Sequence, residues 1–308
     1  MAQAGPWAIA LDVGGTKVAA SLVDQTGRVR GRLQQGTEPA GGEAVVQQVI
    51  GLARRLARSG GVAGVGVAVP AVVDPRRREV VWAPNIRGWR RLALSDRLEA
   101  VLDLPTWLEY DGHAAVLGEH WAGAGRGVRN LVMVMVGTGI GGGMILDGQL
   151  YRGRDGLAGA AGWLTSGACV GSAPPGQPAL EREAAGPALA HQAGVTSGRA
   201  EDVVRAAAEG DGPSSRALDA VADRLGLAVA DVVSLLNPDV VVLGGGVCAA
   251  RAPSARLLPG VRRAVRRHAQ PVAARHVRVV RSRLGANAGL VGAACSVFQE
   301  LRSQGRMN

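Results

Sequence analysis

Asp12-Val13-Gly14-Gly15-Thr16-Lys17 lies between two apolar stretches, Trp7 to Val13 and Val18 to Asp24. The spacing predicts a buried strand, a tight Gly-Gly turn and a second strand, with a third strand after the Thr26-Gly27 turn. Glycines let a turn bring its N–H groups close to a phosphate oxygen, where a Cβ would obstruct. Asp12, at the strand end, suits Mg²⁺ held through water, because Mg²⁺ takes few carboxylates and keeps its waters. A plain hairpin is the blander reading of these six residues taken alone. The pattern then restarts: Asn130 to Val136 predicts a strand, Gly137-Thr138-Gly139-Ile140-Gly141-Gly142-Gly143 a turn, and Met144 to Leu146 a strand. Two Gly-rich turns at matching places in two similar units suggest that both clasp one polyphosphate. A third, Gly244-Gly245-Gly246, ends the predicted strand Val240 to Leu243, where a strand feeding a helix would let a nucleoside approach the backbone. None has the Walker spacing, nor the dinucleotide GxGxxG followed by a helix.

Between these landmarks, apolar spacing predicts helices over 43–58, 92–102, 180–190, 200–208 and 214–236, with a final helix over about 286–301. Gly61 to Pro70 is too Gly-rich for a stable helix and reads as a buried strand, and Pro105 to Tyr110 as another. Residues 153–178 form a loop rich in Gly, Ala, Ser and Pro. Mixed strands and helices with hairpins at both turns argue for two α/β domains with mixed sheets.

At 308 residues, with 47% hydrophobic and 19% charged residues, the chain can bury two cores and is not a disordered one. It has no apolar run long enough for a transmembrane helix, and Met1 to Pro6 lacks the pattern of a signal peptide. Cys169, Cys248 and Cys295 are too scattered for a disulfide framework. A cytoplasmic protein without membrane partners is expected. The net charge of +10 is confined to the C-terminal end: residues 251–308 hold twelve arginines against one acid, Glu300. Arg262, Arg263, Arg266 and Arg267 share one predicted helix face between Pro259 and Pro271. Without a helix-turn-helix, zinc finger or stacking platform, this reads as a solvated face or an attraction for small anions, and no nucleic acid is expected.

The turn DVGGTK at 12–17, GTGIGGG at 137–143, NPDVVVLGGGV at 237–247 and LGANAGLVGAA at 284–294, in this order, resemble the ROK sugar kinases of the actin-like ATPase superfamily. So does the segment from Val69-Pro70 through Val73-Asp74 to Ala83-Pro84-Asn85-Ile86-Arg87-Gly88-Trp89. The resemblance runs from about Trp7 to Phe298. It implies two actin-like domains, 1–112 completed by a helix over about 290–308, and 113–289, with a cleft between them. It further implies ATP and Mg²⁺ as cofactors, transfer of the γ-phosphoryl group to a sugar hydroxyl, and a homodimer. Phosphate contacts fall on Asp12, Gly14, Gly15, Thr16, Lys17, Gly137, Thr138, Gly139, Gly244, Gly245 and Gly246, with Asn85 on the substrate.

The family's catalytic aspartate, the second residue of an Asn-Asp pair, maps onto Asp111, and the asparagine onto Tyr110. A carboxylate beside a primary hydroxyl can take its proton as attack begins, and the rest of phosphoryl transfer is positioning and charge neutralisation. Asp111 also stands where it would cap the following helix. Departures concentrate on the sugar side. The family's Gly-Glu-x-Gly-His reads Gly159-Ala160-Ala161-Gly162-Trp163 here, and its Cys-rich zinc loop is reduced to Cys169, so no zinc site is expected. Glu181 survives from the family's Gly-Cys-Leu-Glu. Trp163 offers a flat apolar face to substrate or fills the gap left by the zinc loop; Tyr110 donates to a substrate oxygen or packs inward. His113 and His120 read as satisfied helix residues. Specialised members of the family phosphorylate amino sugars such as kanosamine, or C7-cyclitols, in bacterial antibiotic pathways. The expected acceptor is therefore such a hexose-like sugar or cyclitol, with glucose as the alternative and an inactive sugar-sensing regulator third.

Overall fold

The computed structural model describes residues 6–74, 78–165, 174–249 and 254–307, which cluster into two compact units. Unit 1 comprises residues 1–126, 150–158 and 287–308, and unit 2 comprises 127–149 and 159–286. Unit 1 begins with β1 (Trp7–Val13), β2 (Lys17–Val23), β3 (Val29–Gly36), α1 (Gly42–Ala57) and β4 (Val62–Val69). Next come β5 (Val72–Asp74), β6 (Glu79–Trp82), β7 (Arg90–Leu92), α2 (Leu94–Leu102), β8 (Thr106–Tyr110) and α3 (Asp111–Ala122). Its main sheet has the order β3-β2-β1-β4-β8, and β5-β6-β7 form a small sheet of their own. β1 and β2 are antiparallel, whereas β4 and β8 run parallel to β1. The apolar runs of β1 and β4 suit strands covered on both faces. On one face lie Val45, Val49, Leu52 and Leu56 of α1; on the other lie Leu290, Ala293, Val297 and Phe298 of the last helix.

Unit 2 repeats the plan. It contains β9 (Leu131–Val136), β10 (Ile140–Leu146), β11 (Gln149–Leu150), α4 (Ala179–Ala184), α5 (Gly186–Gln192), α6 (Ala200–Ala208) and α7 (Gly212–Leu236). There follow β12 (Val240–Gly244), α8 (Gly246–Ala249), α9 (Ser254–His268), α10 (Pro271–His276) and β13 (Arg278–Arg281), before α11 (Ala288–Ser303) returns the chain to unit 1. The sheet order is β11-β10-β9-β12-β13, with β9 and β10 antiparallel and β12 and β13 parallel to β9. Strand for strand this is the pairing of unit 1. α7 starts on a firm cap, the Asp211 carboxylate accepting from Ser214 N–H at 2.8 Å, and stops at Asn237 in the left-handed region.

Several elements differ from the sequence expectation. Gly141 to Gly143 are strand, not turn: they pair with Met135 to Met133, and a Cβ on Gly142 would lie 2.1 Å from the Met133 carbonyl oxygen. The helix expected over 180–190 is two helices, because Gly186 turns its N–H to the Gly137 carbonyl and Pro187 restarts the helix. β13, with arginines at both ends, was hidden by its charge and is recovered only by its pairing with β12. Pro259 lies inside α9, not at its boundary.

Candidate active site

In unit 1 the carboxyl ends of β1, β4 and β8 share one edge: Asp12 is level with Ala68, and Ala68 with Glu109. The crevice beyond such strand ends is where open α/β sheets bind ligands. The turn after β1 is held through its carbonyls. Gly14 N–H donates to Lys17 O at 2.8 Å, Thr37 N–H to Thr16 O at 3.1 Å, and Thr37 Oγ1 to Gly14 O at 2.6 Å. Gly15, Thr16 and Lys17 are left exposed. Asn85 adjoins this turn: a Cβ on Gly15 would lie 3.0 Å from its carbonyl oxygen. The 83–89 loop that carries Asn85 is pinned by the buried Trp89, whose Nε1 donates to Gly42 O at 3.1 Å.

Asp12, near the end of β1, and Asp111, just after β8, stand at the same edge of the sheet on either side of β4. Burial raises the Asp12 carboxyl above the usual range, against the pull of Lys17 and Arg32. The Asp111 carboxyl is pushed up to about 7, first by burial and then by the charge of Asp12, while the Gly112 N–H, donating at 2.7 Å, draws it back. Asp111 is the first residue of α3, and the cap position falls on Tyr110 without a side-chain cap hydrogen bond, so Asp111 does not cap the helix as expected; its carboxylate accepts from the adjoining Gly112 N–H. Gly289, at the start of α11, comes so close that a Cβ there would lie 2.6 Å from Asp12 Oδ2. Sequence reasoning did not single out Gly289, Glu109 or Arg152. Glu109 is buried, ion-paired to Arg152 and 3.3 Å from His113 Nδ1, and these two contacts hold its carboxyl below the ordinary range. A glutamate within the short strand TWLEY was the available signal. Tyr110 is half-buried with its ring edge-on to His113.

In unit 2 the second turn is only Gly137-Thr138-Gly139, closed by Gly137 N–H to Gly139 O at 2.9 Å. Glu181 is tied to it: Oε2 accepts from Ile140 N–H at 2.7 Å, and a Cβ on Gly139 would lie 2.5 Å from that oxygen. A Cβ on Gly162, in the variant segment, would lie 3.2 Å from Glu181 Cβ and 2.5 Å from Ile140 O. Trp163 ends a 3-10 turn over Ala161–Trp163 and is 57% exposed, so it does not fill a gap in the core. The third Gly run sits against the end of β9. Gly245 has φ +83°, and its Cβ would lie 2.3 Å from Val136 O, which only glycine permits. Thus unit 1 gathers Asp12, the first turn, Asn85, Tyr110 and Asp111, and unit 2 gathers Gly137 to Gly139, Gly244 to Gly246, Trp163 and Glu181. Cys169 and the residues around it, on which the zinc expectation rests, lie outside the described residues.

Two units of one topology, each with a Gly-rich turn at the carboxyl end of its sheet, define a two-domain protein of the actin-like ATPase fold. The ROK family model matches residues 8–300, and the chain belongs to the ROK family. It is 30% identical to the glucokinase of Halalkalibacterium halodurans over 98% of both chains. Among solved structures, a ROK family glucokinase from Streptomyces griseus in complex with glucose and AMPPNP has a TM-score of 0.81 and 31% identity, covering 95% of this chain and 99% of that one. A ROK hexokinase from Thermus thermophilus has a TM-score of 0.78 and 34% identity, covering 96% and 99%. Among the described residues no helix is long and apolar enough to cross a membrane.

Proposed function

We propose that this ROK protein is an ATP-dependent sugar kinase that transfers the γ-phosphoryl group to the primary hydroxyl of a hexose or hexose-like acceptor, with Asp111 as general base. The observation that carries this reading is the Asp111 carboxyl, raised to about 7 at the end of β8 beside Asp12, where a base near the operating pH is most effective. The kinase and hexokinase names of its relatives support the class of reaction. The residues present suit Mg²⁺: the charge of Asp12 bears on Asp111, and Asp12 offers hard oxygen donors in a lane kept clear by Gly289. Mg²⁺ held there through water would neutralise phosphate charge. The first turn would hold phosphates through Gly15 and Thr16 N–H and Lys17, and the second through Gly137 to Gly139, while Gly244 to Gly246 would admit the nucleoside.

On the acceptor side, Ala160 and Trp163 stand where the family pattern has Glu and His, which removes partners for ring hydroxyls. An unpaired buried hydroxyl costs about 1–3 kcal/mol. The acceptor in this reading is an amino sugar such as kanosamine or a C7-cyclitol, with Glu181 as the remaining anchor and the exposed face of Trp163 beneath the ring. A second reading, glucokinase, is favoured by the relatives that carry that name. An ATP-consumption screen over glucose, mannose, N-acetylhexosamines, kanosamine and valiolone-type cyclitols separates them. Highest kcat/KM for glucose would select the second reading, and ATP use above background with none of them would remove the kinase reading altogether. A homodimer in the cytoplasm belongs to the same proposal, and sedimentation of the purified chain tests the assembly.

A further inference from the structure

One buried polar cluster of unit 1 has no part in the chemistry described so far. Glu109 closes β8 but for one residue and His113 is the third residue of α3, so the two bracket Asp111 across the strand-to-helix junction. They are 7% and 1% exposed. Glu109 Oε1 lies 3.3 Å from His113 Nδ1, and Glu109 Oε2 accepts from Arg152 at 2.6 Å. His113 Nε2 lies 2.9 Å from the Ala158 carbonyl oxygen. A carbonyl only accepts, so Nε2–H donates to Ala158 O, and a hydrogen bond from Nδ1 to the Glu109 carboxylate calls for a second ring proton. The Ala158 N–H in turn donates to Arg152 O at 3.1 Å, which closes residues 152–158 on themselves. Tyr110 packs its ring edge-on to His113 at 5.1 Å, completing the lock around Asp111.

Charged groups taken out of water cost several kcal/mol each unless fully paired, and apolar residues would hold a loop at less cost. What this cluster adds is direction: its hydrogen bonds fix the residues before and after Asp111 to one loop, 150–158, whose next residue opens the Gly159 to Trp163 segment. We propose that Glu109, His113 and Arg152 are positioning residues, a polar clamp that ties loop 150–158 to the β8–α3 junction and so holds Asp111 at the angle from which it meets the acceptor hydroxyl. The proposal rests on Asp111 as the base. Small displacements of a reacting group are enough to cost up to about 10²-fold in rate.

The test uses Arg152→Ala and Arg152→Lys in the full chain. Arg152 is 44% exposed at its side chain, so its truncation spares the core, and thermal melting verifies the fold. Two readouts are taken: hydrogen exchange of the 152–158 amides, and kcat with KM for ATP and for the best acceptor of the screen. The clamp predicts faster exchange at Ala158 in Arg152→Ala, a kcat lower by roughly ten-fold or more with KM for ATP unchanged, and partial recovery of both in Arg152→Lys. Unchanged exchange overturns the clamp. Faster exchange with kcat within two-fold of wild type, or a loss confined to KM for ATP, overturns the positioning role. Should Arg152→Ala not fold, Arg152→Lys carries the same comparison. If the wild-type chain phosphorylates no acceptor, the kinase reading falls, while the exchange result still decides whether the clamp exists.

Discussion

The two units share strand order and pairing but not chemistry. At the penultimate position of the first strand, unit 1 has Asp12 in β1 and unit 2 has Met135 in β9. Beyond the last strand, unit 1 continues with Asp111 after β8, whereas unit 2 continues with Ser282 after β13. Unit 1 thus places two carboxylates where unit 2 has neither; a Gly-rich turn follows the first strand in both units, and unit 2 adds Gly244 to Gly246 at the end of β12. A duplicated scaffold can divide labour in this way because strand ends are loops to the core: their side chains change without disturbing the sheet. The helix pairs differ as well. α3 meets α11 through Gly118 and Gly292, where an added Cβ would strike backbone, while α7 meets α9 through Gly226 and Gly260, where it would strike alanine methyls.

The largest effect expected from this contrast is on folding. A Cβ at Gly292 would lie 1.5 Å from the Ala114 carbonyl oxygen, and one at Gly260 would lie 2.6 Å from the Ala222 Cβ. Gly292→Ala should therefore cost more than about 3 kcal/mol and Gly260→Ala about 1–3 kcal/mol. Equal midpoints in urea would break the comparison. For activity, Asp111→Asn should lower kcat about 10²-fold or more, about 2.7 kcal/mol in the barrier, with ATP binding near normal by calorimetry. Wild-type turnover in that variant would remove the carboxylate from its role.

The same residue sets a pH dependence of stability. With its folded pKa raised to about 7 from 3.8, Asp111 binds a proton more tightly in the folded state. Its contribution is fully present below about pH 4 and is lost as pH rises through about 7. Asp111→Asn should therefore gain stability over the wild type from pH 5 to pH 8, by up to about 4 kcal/mol, in melting curves of the ligand-free protein. A constant difference across that range would contradict the buried, Asp12-facing carboxyl. The smallest effect belongs to unit 2's surface. Arg129 and Asp147 pair at 3.0 Å with side chains 76% and 79% exposed, so Arg129→Ala should change stability by less than about 0.5 kcal/mol and leave kcat unaltered.

Much of the fold was legible because apolar runs and Gly turns are local signals. β1, β4, β9, β12 and α6 coincide with their expected positions within a residue or two. β13 was not legible, since four residues with arginines at both ends make a strand only beside β12. The break at Gly186 was missed although Pro187 announced it. At the candidate site, Asp12 and the three Gly runs stood out by type and spacing, and Asp111 through the family resemblance. Arg152 did not, because its partner Glu109 lies 43 residues away and no periodicity links a loop arginine to a strand glutamate.

The sequence by itself determined the duplicated strand–turn–strand plan, the family resemblance and which residues are exceptional within it: Ala160 and Trp163 at the acceptor side, and Lys17 as the sole lysine among 35 basic residues. Those are properties of residue type and order, available along the chain. Only the tertiary structure decided that Asp111 shares its environment with Asp12, that Glu181 braces the Gly139 turn, and that Gly141 to Gly143 are strand. Burial, mutual charge and backbone contact depend on which distant segments meet, and that is settled when sheets pair and helices cover them.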